Sequence, residues 1–264
     1  MSSLADIPNE NKCKQMLYEI THDGLVTCGC GNRIIWKMAN NYGWCKACRS
    51  KHSPKGSCWL SGTKLSCRKI FLLAFYFIHR QSPGSAISAT GLSYTTIKRW
   101  YGLFREHLPV EPTNTKLSGI IEVDEAYFGK KRYSNQVIVI GAIERDTRYL
   151  KLQIIADTER ESLEQFIEDN IQIGSLVVTD CNPGYIELPL LGYEHEFWNH
   201  SKGHFAGTNH IEQVWSAMKR YMRKLYGCIP TRDLKLILNE WMIRHGRPNM
   251  FNSPEELLRV IVRY

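Results

Sequence analysis

The chain has 264 residues, 43% of them hydrophobic, and carries 34 Lys and Arg against 26 Asp and Glu, a formal net charge of +8. That length supplies one large domain or two modest ones with ample core. No stretch reaches the uninterrupted apolar length of a membrane span; the most apolar run, Ile70 to Ile78, is short and flanked by Lys69 and His79. The first ten residues lack the basic-then-apolar pattern of a secretory signal. An intracellular protein with no membrane partner is expected, in the nucleus if the host is eukaryotic and in the cytoplasm or nucleoid if it is bacterial.

Residues 1–117 hold 16 Lys and Arg against 6 Asp and Glu, whereas residues 118–264 hold 18 against 20. A basic first part joined to a nearly neutral, carboxylate-bearing second part suggests a polyanion-binding module attached to something else. Seven of the nine cysteines fall before residue 68. Disulfides are disfavoured inside cells, so this clustering argues for metal.

A polar lead with a helix over residues 12–20 is followed by Cys28-Gly-Cys30 and, after fourteen residues, Cys45-Lys-Ala-Cys48. Two close pairs of soft ligands on tight turns suit tetrahedral Zn²⁺, which predicts a zinc ribbon over residues 1–62. The first pair is Cys-x-Cys rather than the commoner Cys-x-x-Cys, and His52 or Cys58 is an alternative to one ligand. Trp36, Trp44 and Trp59 are expected to supply the small apolar packing of such a unit. Cys181 and Cys228, far downstream, are expected to be packing residues.

Residues 63–110 read as a helical domain. An apolar helix over 64–79 is broken at Ser82-Pro83-Gly84; a short helix, the Gly91-Leu92-Ser93 turn and a helix over 94–107 follow. This is the outline of a helix-turn-helix unit. The last helix would present Thr95 and Thr96 to base edges and Lys98 and Arg99 to phosphates, with Ile97, Trp100 and Leu103 facing inward. A linker over 111–118 leads to a domain over 119–264 in which the periodicity changes.

In that domain Ile120 to Glu125, Gln136 to Ile143 and Tyr149 to Ile155 alternate as strands, and Arg160 to Asn170 reads as a helix. Leu176 to Thr179 is a short apolar strand ending at Asp180 and an Asn182-Pro183-Gly184 turn, the place where an α/β sheet exposes a functional carboxylate. Thr208 to Lys224 is an amphipathic helix, with Ile211, Val214, Trp215, Met218, Tyr221 and Met222 on one face and Glu212 in its first turn. Strand, strand, strand, helix, strand, then helices is the element order of a ribonuclease-H-like α/β fold: a mixed sheet with flanking helices. In such a sheet Asp124 and Asp180 project to one edge, and Glu212 joins them from the following helix. Hard carboxylate oxygens of this kind suit Mg²⁺ or Mn²⁺. Glu125, Glu144 and Asp157 read as surface or supporting acids.

The segments Glu122-Val-Asp124-Glu-Ala-Tyr-Phe-Gly129, Val178-Thr-Asp180, Trp198-Asn-His200-Ser and Thr208-Asn-His-Ile-Glu212-x-x-Trp215-x-x-x-Lys219-Arg220 resemble the transposases of Merlin-type DNA transposons. They equally resemble the related bacterial insertion-sequence enzymes of the DDE class. The resemblance spans essentially the whole chain, because these proteins also place a zinc ribbon and a helical region before the catalytic domain. It implies that Asp124, Asp180 and Glu212 are the catalytic, metal-binding triad and that Lys219 contacts DNA. The activity expected is cut-and-paste transposition: binding of terminal inverted repeats, hydrolysis of a phosphodiester, and transfer of the freed 3′ end to target DNA. His200, Arg220, Arg223, Lys224, Arg244 and Arg247 are further candidates for contacts with duplex DNA. Joining two ends requires at least two active sites, so a homodimer or higher assembly is expected. Two other readings share these features: a structure-selective nuclease of the same fold, and a transposase-derived DNA binder that does not cut.

Overall fold

The computed structural model describes residues 3–24, 27–36, 42–110, 115–130, 136–198, 208–228 and 231–263. The chain forms two compact units, Met1–Pro109 together with Arg247–Tyr264, and Val110–Gly246. No helix among the described residues is long and apolar enough to cross a membrane.

The first unit opens with α1 (Glu10–Thr21), started by Asn9, whose side chain accepts from the Lys12 amide. Three short antiparallel strands follow in the order β1 (Ile34–Ile35), β2 (Gly43–Cys45) and β3 (Lys51–His52). Helix α2 (Cys67–Ile78) is capped by Ser66 and buries Ile70, Phe71, Leu72, Leu73 and Phe77. Helix α3 (Ile87–Thr90) ends at Gly91, whose φ of +64° is the left-handed conformation that a glycine adopts without steric cost. Helix α4 (Tyr94–Glu106) begins at Ser93, which accepts from the Thr96 amide, and α2 packs against both α3 and α4. The helix, short helix, glycine turn and helix read from the sequence are therefore present.

The second unit is a five-stranded sheet made of β4 (Ile120–Phe128), β5 (Val137–Glu144), β6 (Leu150–Ile155), β7 (Leu176–Thr179) and β8 (Glu194–Phe197), in the order β6-β5-β4-β7-β8. The first three strands form an antiparallel meander, while β7 lies parallel to β4 and β8 parallel to β7. Helix α5 (Arg160–Asn170) crosses over between β6 and β7. It packs Leu163, Phe166 and Ile167 against Ile121, Val123, Ile140 and Val177. The opposite face, with Ala126, Phe128, Val139 and Leu152, is covered by α6 (Asn209–Tyr226) and α7 (Leu234–Gly246). Strand order and directions are those of a ribonuclease-H-like sheet. Strand β8 has no counterpart in the sequence reading. Its residues Glu-His-Glu-Phe are mostly exposed and lack a β-branched run, so its pairing with β7 outweighs weak propensity.

Helix α8 (Pro254–Ile261) carries a narrow apolar stripe of Leu257, Leu258 and Ile261, and it packs on α1 and α2. This corrects the expectation that the catalytic domain runs to residue 264: α7 completes that unit at Gly246, and the stripe of α8 finds its partners in the first unit. Trp59 departs from expectation in the same direction. Its ring stacks on His107 at 4.3 Å and its Nε1 donates to the Ile261 carbonyl at 2.8 Å, so it belongs to the helical layer and not to the ribbon.

Candidate active site

Alternation along β4 sends Glu122, Asp124, Ala126 and Phe128 to the α6 face, and Ile121, Val123 and Glu125 to the α5 face. The pairing of β4 with β7 ends at Glu122 and Val178. Asp180 follows the end of β7, where its Oδ1 accepts from the Asn182 amide at 3.0 Å. Asp124, Glu125 and Asp180 each bring a carboxylate oxygen within 4.8 Å of the others.

Each of these acids is held by a particular neighbour. Trp215 donates Nε1–H to Asp124 Oδ2 at 3.0 Å. The indole can lie against the sheet because residue 141, opposite Asp124, is glycine: a Cβ there would sit 2.6 Å from the Trp215 ring. Glu125 accepts a short hydrogen bond from the buried Tyr185 hydroxyl. Burial pushes Asp124 up to about 6, with the charge of Asp180 adding to the rise and Glu212 contributing less. Burial likewise pushes Glu125 up to about 7; the Tyr185 bond opposes this, and Asp180 and Asp124 reinforce it. Crowded carboxylates that resist ionisation together are a donor set for a hard divalent cation, which would relieve their repulsion.

Glu212 lies in the first turn of α6 and is exposed; its Oε1 accepts from the Thr208 hydroxyl at 2.9 Å. It acts on Asp124 electrostatically but stands outside the tight group of three. Glu125, which the sequence reading set aside as a surface or supporting acid, stands inside it. Direct adjacency to Asp124 concealed it, because alternation puts neighbouring strand residues on opposite faces; here β4 is unpaired on its β7 side at this point. Glu122 was also missed. It is fully buried, and it receives Arg145 Nε at 2.8 Å, His210 Nδ1 at 2.6 Å and the amides of His210 and Ile211. Burial alone would push its carboxyl up, but the Arg145, His210 and amide donors hold it below the usual range.

The basic candidates separate. Lys219 sits 5.4 Å above the Phe128 ring, and Arg220, Arg223 and Lys224 are exposed along α6. Arg244 is buried and pairs with the buried Glu240 at 2.8 Å, which removes it from the proposed phosphate contacts. On α4, Thr95, Lys98 and Arg99 are exposed and Thr96 is half-buried, while Ile97 and Trp100 are buried as expected; Leu103 is half-buried. His200 lies outside the described residues. Cys181 and Cys228, expected to pack, are both exposed. Beside Asp180 a cleft of about 370 Å³ is lined by Asn182, Pro183, Ile186, His195 and Phe197.

The four ribbon cysteines form a second donor set. Their sulfurs lie within 4.8 Å of one another, with Cys28 Sγ 3.3 Å from Cys48 Sγ and Cys30 Sγ 3.4 Å from Cys45 Sγ. All are free thiols. A tetrahedral zinc–thiolate site would place its sulfurs about 3.8 Å apart, given bonds of about 2.3 Å. The Ser50 hydroxyl lowers Cys48 to about 6 and the Asn32 amide lowers Cys30, whereas burial and the Cys30 and Cys48 thiols raise Cys45 to about 11, so without an ion thiolate is favoured at only part of the group. The Cys-x-Cys spacing is accommodated by a tight turn in which the Gly31 amide donates to the Cys28 carbonyl. His52 and Cys58 are not in the sulfur group: His52 bonds Ser50 and Tyr18, and Cys58 donates to the Lys55 carbonyl.

Residues 116–244 match the model of the ISXO2-like transposase domain, a span that nearly coincides with the second compact unit. No curated protein matches the chain. Among solved structures, the chain is similar to the HTLV-2 integrase catalytic core domain in complex with magnesium, with 10% identity, a TM-score of 0.33, and coverage of 49% of this chain and 85% of that one. It is similar to the catalytic core domain of BIV integrase at 16% identity and a TM-score of 0.34, covering 46% and 81%. It is also similar to the simian T-cell lymphotropic virus intasome in complex with a PP2A regulatory subunit, at 12% identity and a TM-score of 0.35, covering 66% and 68%. Residues 116–244 are thus similar to the ISXO2-like transposase domain family.

Proposed function

We propose that this protein is a cut-and-paste DNA transposase whose catalytic acids are Asp124, Asp180 and Glu212. The observation that carries the reading is the convergence of Asp124 and Asp180 at one sheet edge, with Glu212 on the helix packed beside them, in a family-matched transposase domain. The donor set fits Mg²⁺ or Mn²⁺, which when bound would lower the cost of forming a hydroxide or 3′-alkoxide nucleophile and of releasing the leaving oxygen. Asp124 and Asp180 would hold such ions, and Trp215 fixes the Asp124 carboxylate through its Oδ2. The Tyr185 bond keeps Glu125 oriented toward the same place.

Duplex DNA is the proposed substrate. In the first unit, Lys12, Arg33 and Lys46 line a groove of about 870 Å³ whose described lining residues include no acid. Thr95, Lys98 and Arg99 on α4 offer a second surface for phosphates and base edges. On the catalytic unit, Arg220, Arg223 and Lys224 form a basic flank of α6, with Lys219 held against Phe128. Zn²⁺ is the ion proposed for Cys28, Cys30, Cys45 and Cys48. Terminal inverted repeats are the proposed specific partner, and strand transfer from two ends calls for a homodimer or larger assembly.

The test is cleavage of duplexes carrying transposon ends in Mg²⁺, comparing wild type with Asp180→Asn and Glu212→Gln. Wild type should cut at the end, whereas both variants should bind the same duplex and lose at least about a hundredfold in rate. Cutting by the variants at the wild-type rate would remove the triad. Binding of ends without any metal-dependent cutting by wild type would favour the non-cutting DNA binder.

A further inference from the structure

We propose that Glu122 is a positioning residue for Glu212: from the floor of the sheet it caps helix α6, and so frees the helix's own cap residue to orient the site acid. This rests on the triad reading above. A helix N-terminus presents amides without intrahelical partners, and the residue before the helix ordinarily satisfies one of them through its side chain. Thr208 occupies that place in α6, is buried, and makes no such bond. Its hydroxyl instead donates to Glu212 Oε1 at 2.9 Å.

The first-turn amides are satisfied from 88 and 89 residues away in the chain. Glu122 Oε2 accepts from the His210 amide at 2.7 Å and from the Ile211 amide at 3.2 Å. Its Oε1 accepts from Arg145 Nε at 2.8 Å and meets His210 Nδ1 at 2.6 Å. Burying a carboxylate completely is costly unless it is paired and bonded on every side, and a serine, threonine or asparagine cap would serve the helix without that cost. What the costlier arrangement adds is geometry. Glu122 and Asp124 lie on the same face of one strand, two residues apart. Helix α6 is tied to the first by its leading amides and to the second by Trp215. Glu212 stands between those two ties, so its place relative to Asp124 is set by a rigid strand.

The test is equilibrium Mn²⁺ binding to the full chain with the ribbon kept zinc-loaded and without DNA, followed by electron paramagnetic resonance of the free ion, alongside thermal melting. Glu122→Gln keeps the shape but turns one acceptor into a donor facing donors. It should weaken Mn²⁺ binding about tenfold at a temperature where the protein is fully folded. Introduced into a Glu212→Gln background, it should produce no further loss, because its effect passes through Glu212. Glu122→Asp, which retains the charge on a shorter arm, should give a smaller loss with the same dependence on Glu212, and it carries the test if the glutamine variant does not fold. A lower melting temperature with unchanged Mn²⁺ binding would make Glu122 a helix cap and nothing more. Equal losses in both backgrounds would mean that it acts on the site without passing through Glu212. If Asp180→Asn and Glu212→Gln themselves leave Mn²⁺ binding unchanged, the triad reading fails first, an outcome distinct from either of these.

Discussion

The two donor clusters of this protein are assembled in opposite ways. Four sulfurs come from 21 consecutive residues on two tight turns, with a small apolar backing of Tyr18, Ile34 and Trp36. The acids come from β4, the end of β7 and the start of α6, so they meet because a sheet with two packed faces brings distant segments together. Besides three short strands and that backing, the first cluster has only the proposed ion to hold its turns in place. The second is held by the sheet whether or not an ion is present, and the fold supplies the energy that crowds its charges.

The largest effect should therefore come from stripping the ion from the ribbon. Structural zinc contributes on the order of 10 kcal/mol in small cysteine sites. Chelation, or Cys45→Ser, should open residues 28–52 to trypsin at Lys46 and Lys51 while the catalytic unit stays resistant. A ribbon that remains protected without its ion would end the contrast. A smaller effect should follow Gly141→Ala. The added methyl would meet the Trp215 ring at 2.6 Å and Leu152 at 2.8 Å, displacing the indole from Asp124. A loss of about 1–3 kcal/mol in urea unfolding is expected, from the strain of overpacking. An unchanged midpoint would show that Trp215 is not tightly seated.

The smallest effect concerns pH. Asp124 and Glu125 retain protons in the folded state up to about 6 and about 7, whereas in the unfolded chain they lose them near pH 4. The folded state thus binds more protons between those values, and this contribution to stability is complete below about pH 4 and lost as the pH rises through about 7. The catalytic unit should melt a few degrees lower at pH 8 than at pH 5.5 without added metal. Asp124→Asn should flatten part of that slope, and Mg²⁺ should restore the melting temperature at pH 8. A slope of opposite sign would mean that the acids are better solvated than their burial implies.

These contrasts also explain what could be read from the chain. The ribbon cysteines were visible as a spacing because local turns hold them. Strands β4 to β7 and helices α4 to α6 were visible because their apolar periods match the faces they bury, down to the limits of α5 and β7. Asp180 was visible as an acid at the end of an apolar run. Glu125 and Glu122 were not, since nothing in Glu-Val-Asp-Glu distinguishes an acid that caps a distant helix from one crowded against another carboxylate. That difference is made by Arg145, His210 and Tyr185, which lie 20 to 90 residues away in sequence. Arg244 misled for a different reason: its partner Glu240 is only one helical turn away, but the packing of α7 is what shows that both are buried. Strand β8 had no apolar pattern to announce it.

Helix α8 gives the protein an order of completion. On a ribosome, the catalytic unit has all its segments once Gly246 has emerged, whereas the first unit still lacks the helix that packs on α1 and α2 and the carbonyl that receives Trp59. The part made first is thus finished last. A product cut short between residues 247 and 260 would carry an intact acidic centre beside a first unit that is missing a wall.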